Sequence, residues 1–108
     1  MKYLILNLLA VAVLAAIPDK QAFVGIITDD NCPKADHSQM KMGPTDAECT
    51  VACVNVHDAS YVLYDGKEVY MLSDQKSPEK FAGKKVTVTG ALDAKTKAIQ
   101  VDSIIEAK

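Results

Sequence analysis

The chain has 108 residues, with 12 basic side chains against 14 acidic ones, a net charge of −2, three cysteines and no tryptophan. Every basic residue is lysine. That balance excludes the basic footprint of a nucleic-acid binder and disfavours adhesion to an anionic membrane surface.

The first 16 residues read as a secretory signal peptide: Lys2 supplies a positive start, Tyr3 to Ala16 is apolar but for Asn7, and Ala15 and Ala16 close the run. The run is short for a membrane span, and Pro18-Asp19-Lys20 ends it. Export to the periplasm or the extracellular space is expected, with membrane contact only through an uncleaved signal. Residues 17–22 read as a linker and 23–108 as one domain with an insertion over 30–58. A domain of this size buries a limited core, so a disulfide or a metal ion would help hold it.

Phe23 to Thr28 (FVGIIT) is β-branched and reads as the first strand, with Gly25 allowing a bend. Asn31 to Gly43 has no periodicity and reads as loop. Thr45 followed by Glu48 forms a capping box, and Asp46 and Glu48 suit the positive end of a helix dipole. A helix is therefore predicted from Asp46 to about Asn55. His57, just beyond it, suits the negative end. Tyr61–Tyr64, Asp65-Gly66 and Lys67–Leu72 read as a hairpin whose turn residues both need positive φ, with Met71 facing inward. Ser77 to Gly83 reads as a short helical turn, with Ser77 as its cap, Pro78 in first position and Gly83 as its stop. Lys85 to Leu92 alternates, as does Ala98 to Ile105, with Ile99, Val101 and Ile105 on one side.

Strand, insertion, strand, strand, short helix, strand, strand is the order of an OB-like barrel. The expected fold is all-β with a short helix or two: a small five-stranded OB-like barrel carrying a Cys/His-bearing loop and helix between strands 1 and 2.

The insertion concentrates the reactive side chains: all three cysteines, both histidines, and Met40 and Met42. Three readings of it are open. One is a disulfide, common in small exported domains. Cys49 and Cys53 are four apart on a helix, where Cβ atoms stand about 5–6 Å apart, more than a disulfide accepts. The bridge would join Cys32 to Cys49 or to Cys53. The second is a metal site in which Cys32, His37, Cys49 and Cys53 bind zinc or copper. Met40 and Met42 are optional soft donors. The third is thiol chemistry at Cys49, in the first helical turn, but no C-x-x-C or thioredoxin-like pattern accompanies it. Asp29 and Asp30 read as solvated turn carboxylates or as outer-shell partners of a ligand. No nucleophile elbow, HExxH motif or phosphate loop is present, so no enzyme activity is expected.

Gly25 to Asp29, Cys32 with His37, the C-x3-C-V of Cys49 to Val54, Tyr61 to Leu63 and Val86 to Gly90 together resemble a family of small exported bacterial proteins catalogued as a domain of unknown function. The resemblance runs from Phe23 to Ile105 and implies export and a small barrel, with no activity attached. His37 with Met40 and Met42 is similar in kind to the copper ligands of periplasmic chaperones from cation-efflux systems, which are also small OB-fold proteins. Those ligands lie on barrel strands under a tryptophan, and neither feature is matched here. Two functions are therefore expected as rivals: a metal-binding exported module, or a disulfide-stapled module that binds a protein or cell-envelope ligand through its open face and loops, with the strands bearing Tyr61, Tyr64 and Tyr70 as a candidate place.

Overall fold

The computed structural model describes residues 19–38 and 42–107; the expected signal segment lies outside the described residues. In chain order the elements are β1 (Lys20–Asp29), α1 (Asp46–His57), β2 (Tyr61–Tyr64), β3 (Val69–Leu72), a 3-10 turn (Ser77–Phe81), β4 (Lys85–Asp93) and β5 (Ala98–Glu106). The strands close into a barrel in the order β1-β2-β3-β5-β4, with α1 between β1 and β2. All contacts between strands are antiparallel except β3 with β5, which pair in parallel at Met71–Ala98 and Leu72–Ile99. This is the expected five-stranded OB-like barrel with its insertion.

Closure depends on β1 serving two neighbours. Lys20 to Ile26 pairs with β4, and Ile26 to Asp29 pairs with β2. The strand must bend where it changes partners, and Gly25 sits at that point. A Cβ there would stand 2.4 Å from the Tyr64 carbonyl oxygen, so only glycine lets the backbones approach this closely. The strand also starts earlier than expected. Lys20, Gln21 and Ala22, assigned to a linker from sequence, pair with Ala91, Gly90 and Thr89 because the long β4 offers them backbone partners.

Inside the barrel, Ile27, Tyr61, Leu63, Leu72, Ala82, Val86, Val88 and Ile99 form the buried core. Full burial of each branched aliphatic stabilises by about 1.5–3 kcal/mol. The 3-10 turn and Gly83 plug one end: Gly83 N–H donates to Ile27 O at 2.8 Å and Ile27 N–H to Lys84 O at 3.1 Å. The turn is capped differently from expectation. Ser77 makes no cap; instead Asp74 Oδ1 accepts from the N–H groups of Lys76 and Ser77. Gln75 bridges the first hairpin. Its amide accepts from Tyr61 N–H at 2.8 Å and donates to Tyr61 O at 2.9 Å and Leu72 O at 3.0 Å.

Three expectations change. The hairpin turn is not a two-residue one: Asp65 Oδ1 takes the N–H groups of Lys67 and Glu68, and of the two expected turn residues only Gly66 has positive φ. Met71 faces outward and is 39 % exposed. In β5, Ile104 packs on the core while Ile105 is 61 % exposed. The cause is a β-bulge. Gly90 pairs with Val101 and Thr89 with Ser103, so Asp102 is an extra residue, and every side chain beyond it changes face.

Replacing Gly25 with alanine drives a methyl group into the Tyr64 carbonyl. The expected loss is about 1–3 kcal/mol, typical of overpacking, read as a lower urea midpoint.

Candidate functional site

Helix α1 begins as its sequence dictates. Thr45, extended at φ −126°, accepts the Glu48 N–H on its hydroxyl at 3.1 Å. It runs two residues past the expected end and stops at Asp58, which takes the left-handed conformation at φ 57°. His57, in the last turn, is exposed and stands apart from the buried cluster. Two sides of the helix are covered. Ala47, Val51 and Val54 pack on the barrel core, while Cys49, Thr50 and Cys53 are buried on the other side. Thr28 and Val62 are cross-strand partners out of phase with the core-facing Ile27 and Leu63. They are nevertheless buried, because the insertion folds over that outer face of the sheet.

The end of β1 fixes the loop. Asp29 is fully buried. Its Oδ1 accepts from Asn31 N–H and Cys32 N–H, both at 3.0 Å. Thr28 Oγ1 donates to Cys32 O at 2.9 Å, and Ala35, strained at φ 59°, donates its N–H to the same carbonyl. Cys32 is thus held on both its backbone groups. Asp30, on the opposite side of the chain, is exposed and ties the loop to Ser60 instead.

Cys32, Cys49 and Cys53 are all buried, and neither expected bridge, Cys32–Cys49 or Cys32–Cys53, is formed. Two of the thiols have polar partners. Cys49 Sγ donates to Gly43 O at 3.1 Å. Gly43 can approach because it lacks a side chain; a Cβ would meet Glu48 Cβ at 2.8 Å. The Cys53 thiol interacts with the side chains of Asn31 and Asp29. Burial pushes the Cys32 thiol up from its ordinary value, and Asp29, Cys53, Cys49 and Asp36 add to the rise. Cys53 is also raised, by burial first and then by Asp29 and Cys49, with the Asn31 hydrogen bond acting in the opposite sense. Cys49 thus bears on both of the other thiols, and Cys53 on Cys32.

His37 is buried, with Nε2 at 3.5 Å from Thr50 Oγ1 and no hydrogen-bond partner at Nδ1. Asp29 Oδ2 is buried and has no hydrogen-bond partner among the described residues that meets ordinary geometry, while the Cys53 thiol interacts with the Asp29 side chain. Among the described residues the ion pairs are Lys20–Asp102, Lys84–Glu106 and Lys97–Glu68, all on the surface. The buried carboxylate has no cation among them.

Of the four ligands expected from sequence, the structure brings the three thiols together, and it buries His37 against the same helix. It does not close them into a coordination sphere: among the described residues no group of three or more His, Cys, Asp or Glu side chains is arranged to hold a metal ion. The reason is local, since Cys49 turns to Gly43, Cys53 to Asn31 and Asp29, and His37 to Thr50. Met40 lies outside the described residues, and Met42 is half-buried next to Gly43. Asp29 is the residue that sequence reasoning misplaced as a solvated turn carboxylate. Its signal was the period of the strand: Gly25, Ile27 and Asp29 share the inward phase. Two of the three tyrosines on the β2–β3 strands are packed. Tyr61 is buried in the core, and Tyr70 packs on Phe23 with ring centroids 5.2 Å apart.

No family model, curated protein or solved structure matches this chain.

Changing Asp29 to alanine strands the Asn31 N–H and leaves the Cys32 N–H only the residue 29 carbonyl, at 3.1 Å, and is expected to cost about 1–3 kcal/mol in urea unfolding. Asp29→Asn keeps an acceptor and is expected to cost less. The raised thiols give a pH dependence with a definite sign. The folded protein holds protons that the unfolded chain releases above the ordinary value of 9.0, so their contribution to stability is intact below that pH and falls away above it. The urea midpoint of the reduced protein should drop as pH rises past 9.0, and less steeply in a Cys32→Ser, Cys53→Ser double variant.

Proposed function

We propose that this chain is an exported, non-enzymatic OB-like module that binds one soft transition-metal ion, zinc or copper(I), in the insertion between β1 and β2. The observation that carries this reading is a buried cluster of soft donors. Three buried thiols and the buried Asp29 carboxyl meet under one loop, and among the described residues no lysine side chain is paired with them. The two interactions that Cys32 and Cys53 share, burial and the Asp29 charge, both resist forming a thiolate, and a soft cation among the sulfurs would reverse that preference.

The donor set fits such an ion. Cys32, Cys49 and Cys53 supply sulfur, and His37 Nδ1 is a buried nitrogen with its hydrogen-bonding capacity unused. Three thiolates and an imidazole suit zinc, and thiolates alone suit copper(I). The bound ion supplies positive charge, and binding it releases thiol protons. The protein contributes the rest: Asp29 and Thr28 fix the Cys32 backbone, and the first turns of α1 fix the other two thiols.

Native mass spectra of protein purified without chelator should show one added zinc or copper ion per chain. Cys49→Ser with Cys53→Ser should weaken binding at least about 100-fold, beyond the 10–100-fold range seen when outer-shell partners are lost. Unchanged stoichiometry and affinity in that double variant would end the proposal.

A further inference from the structure

The same three thiols are not equivalent as partners for one another. Cys49 and Cys53 share one side of a regular helix, and their spacing holds the Cβ atoms too far apart for a disulfide. Cys49 also points its thiol away, to Gly43 O. Cys53 points toward the start of the loop, to the side chains of Asn31 and Asp29. Asn31 is the neighbour of Cys32 in the chain, and Asp29 Oδ1 holds the Cys32 N–H. One carboxyl thus meets both the Cys53 thiol and the Cys32 backbone, which makes the two cysteines neighbours of the same side chain.

We propose that Cys32 and Cys53 form a disulfide when the insertion holds no metal, by exchange with a low-molecular-weight disulfide, and that this bond and metal binding exclude each other. This rests on the metal reading above, and it makes the insertion a redox-gated site: metal-loaded when reduced, closed when oxidised. Cys32 is the thiol at the rim, 6 % exposed, while Cys53 is wholly buried. Exchange therefore starts at Cys32. Its thiolate attacks one sulfur of a disulfide such as oxidised glutathione, forming a mixed disulfide and expelling one glutathione thiolate. The Cys53 thiolate then attacks the Cys32 sulfur, closing the protein bond and expelling the second. The two protons from the cysteines pass to the two glutathione thiolates, the protein loses two electrons and the glutathione disulfide gains them. Cys49 keeps its bond to Gly43 throughout. With two of the three sulfurs bound to each other, Cys49 and His37 alone remain as donors.

The test uses the reduced, metal-free full chain, incubated with oxidised glutathione, digested without reductant and mapped by mass spectrometry. A parallel sample is first loaded with one equivalent of zinc. The expected result is a linked pair of peptides carrying Cys32 and Cys53 in the metal-free sample, with Cys49 free to alkylation. In the loaded sample that link should form at least about tenfold more slowly. The oxidised protein should bind zinc at least about 100-fold more weakly and recover on reduction. A link through Cys49, or stable glutathione adducts with no internal bond, would overturn the pairing while leaving metal binding intact. Equal rates of linkage with and without zinc would overturn the exclusion. The metal reading fails separately, if the reduced protein takes up no zinc or copper(I) in native mass spectra. Cys49→Ser serves as a control that retains the pair, and the wild-type map decides the matter even if a variant does not fold.

Discussion

The backbone of β1 carries the architecture, because it hydrogen-bonds to β4 along one half and to β2 along the other. A strand that changes partners midway has to turn, and the turn is sharp enough that the Tyr64 carbonyl occupies the place of a side chain at Gly25. Everything beyond follows from where that bend sends the last residues. Ile27 enters the core and accepts the Gly83 N–H from the segment that leads into β4. Thr28 and Asp29 emerge where the chain leaves the sheet, with one side chain on each face. Both reach forward to Cys32, so the geometry of the insertion is set by the strand that precedes it.

The insertion also shows why α1 has no conventional amphipathic stripe. It is a helix between two surfaces. One side uses small and branched aliphatic residues to meet the barrel; the other uses sulfur and hydroxyl groups to meet the loop. A core built for packing alone would place leucine or isoleucine at Cys49 and Cys53, gaining apolar area without polar atoms to satisfy. Cysteine and threonine there, with a buried carboxyl and imidazole beside them, give up packing area in exchange for a chemically competent interior.

Much of the fold was legible because its signals are local. The Thr45–Glu48 cap, the apolar alternation of β4 and the Asp65-Gly66 turn act over a few residues, and the element order alone indicated the barrel. What escaped was non-local. The early start of β1 depends on the length of β4, against the weak strand preference of Lys20-Gln21-Ala22. The reversal of Ile104 and Ile105 depends on one extra residue, Asp102, opposite the Thr89–Gly90 step of the preceding strand, and nothing within β5 announces it. The site divides the same way. Its thiols and histidine stand out as a cluster in the sequence, but Asp29 acquires its role only through burial. An aspartate after a threonine reads as a turn until the inward phase of its strand is followed to the end.

Gln75 has a mechanical meaning as well as a chemical one. A single amide occupies hydrogen-bonding positions on both strands of the first hairpin, at Tyr61 and at Leu72, and it is carried by the segment that leads into the 3-10 turn. The segment acts as a latch. Lifting it strips three backbone groups of their partner at once, so fraying of the hairpin end and loosening of the turn are one cooperative event rather than two. Because Gly83, at the close of that segment, is bonded to Ile27, the same event slackens β1 itself. The barrel therefore has no independent small door at this end: it stays shut, or it opens along the latch, β2 and β1 together.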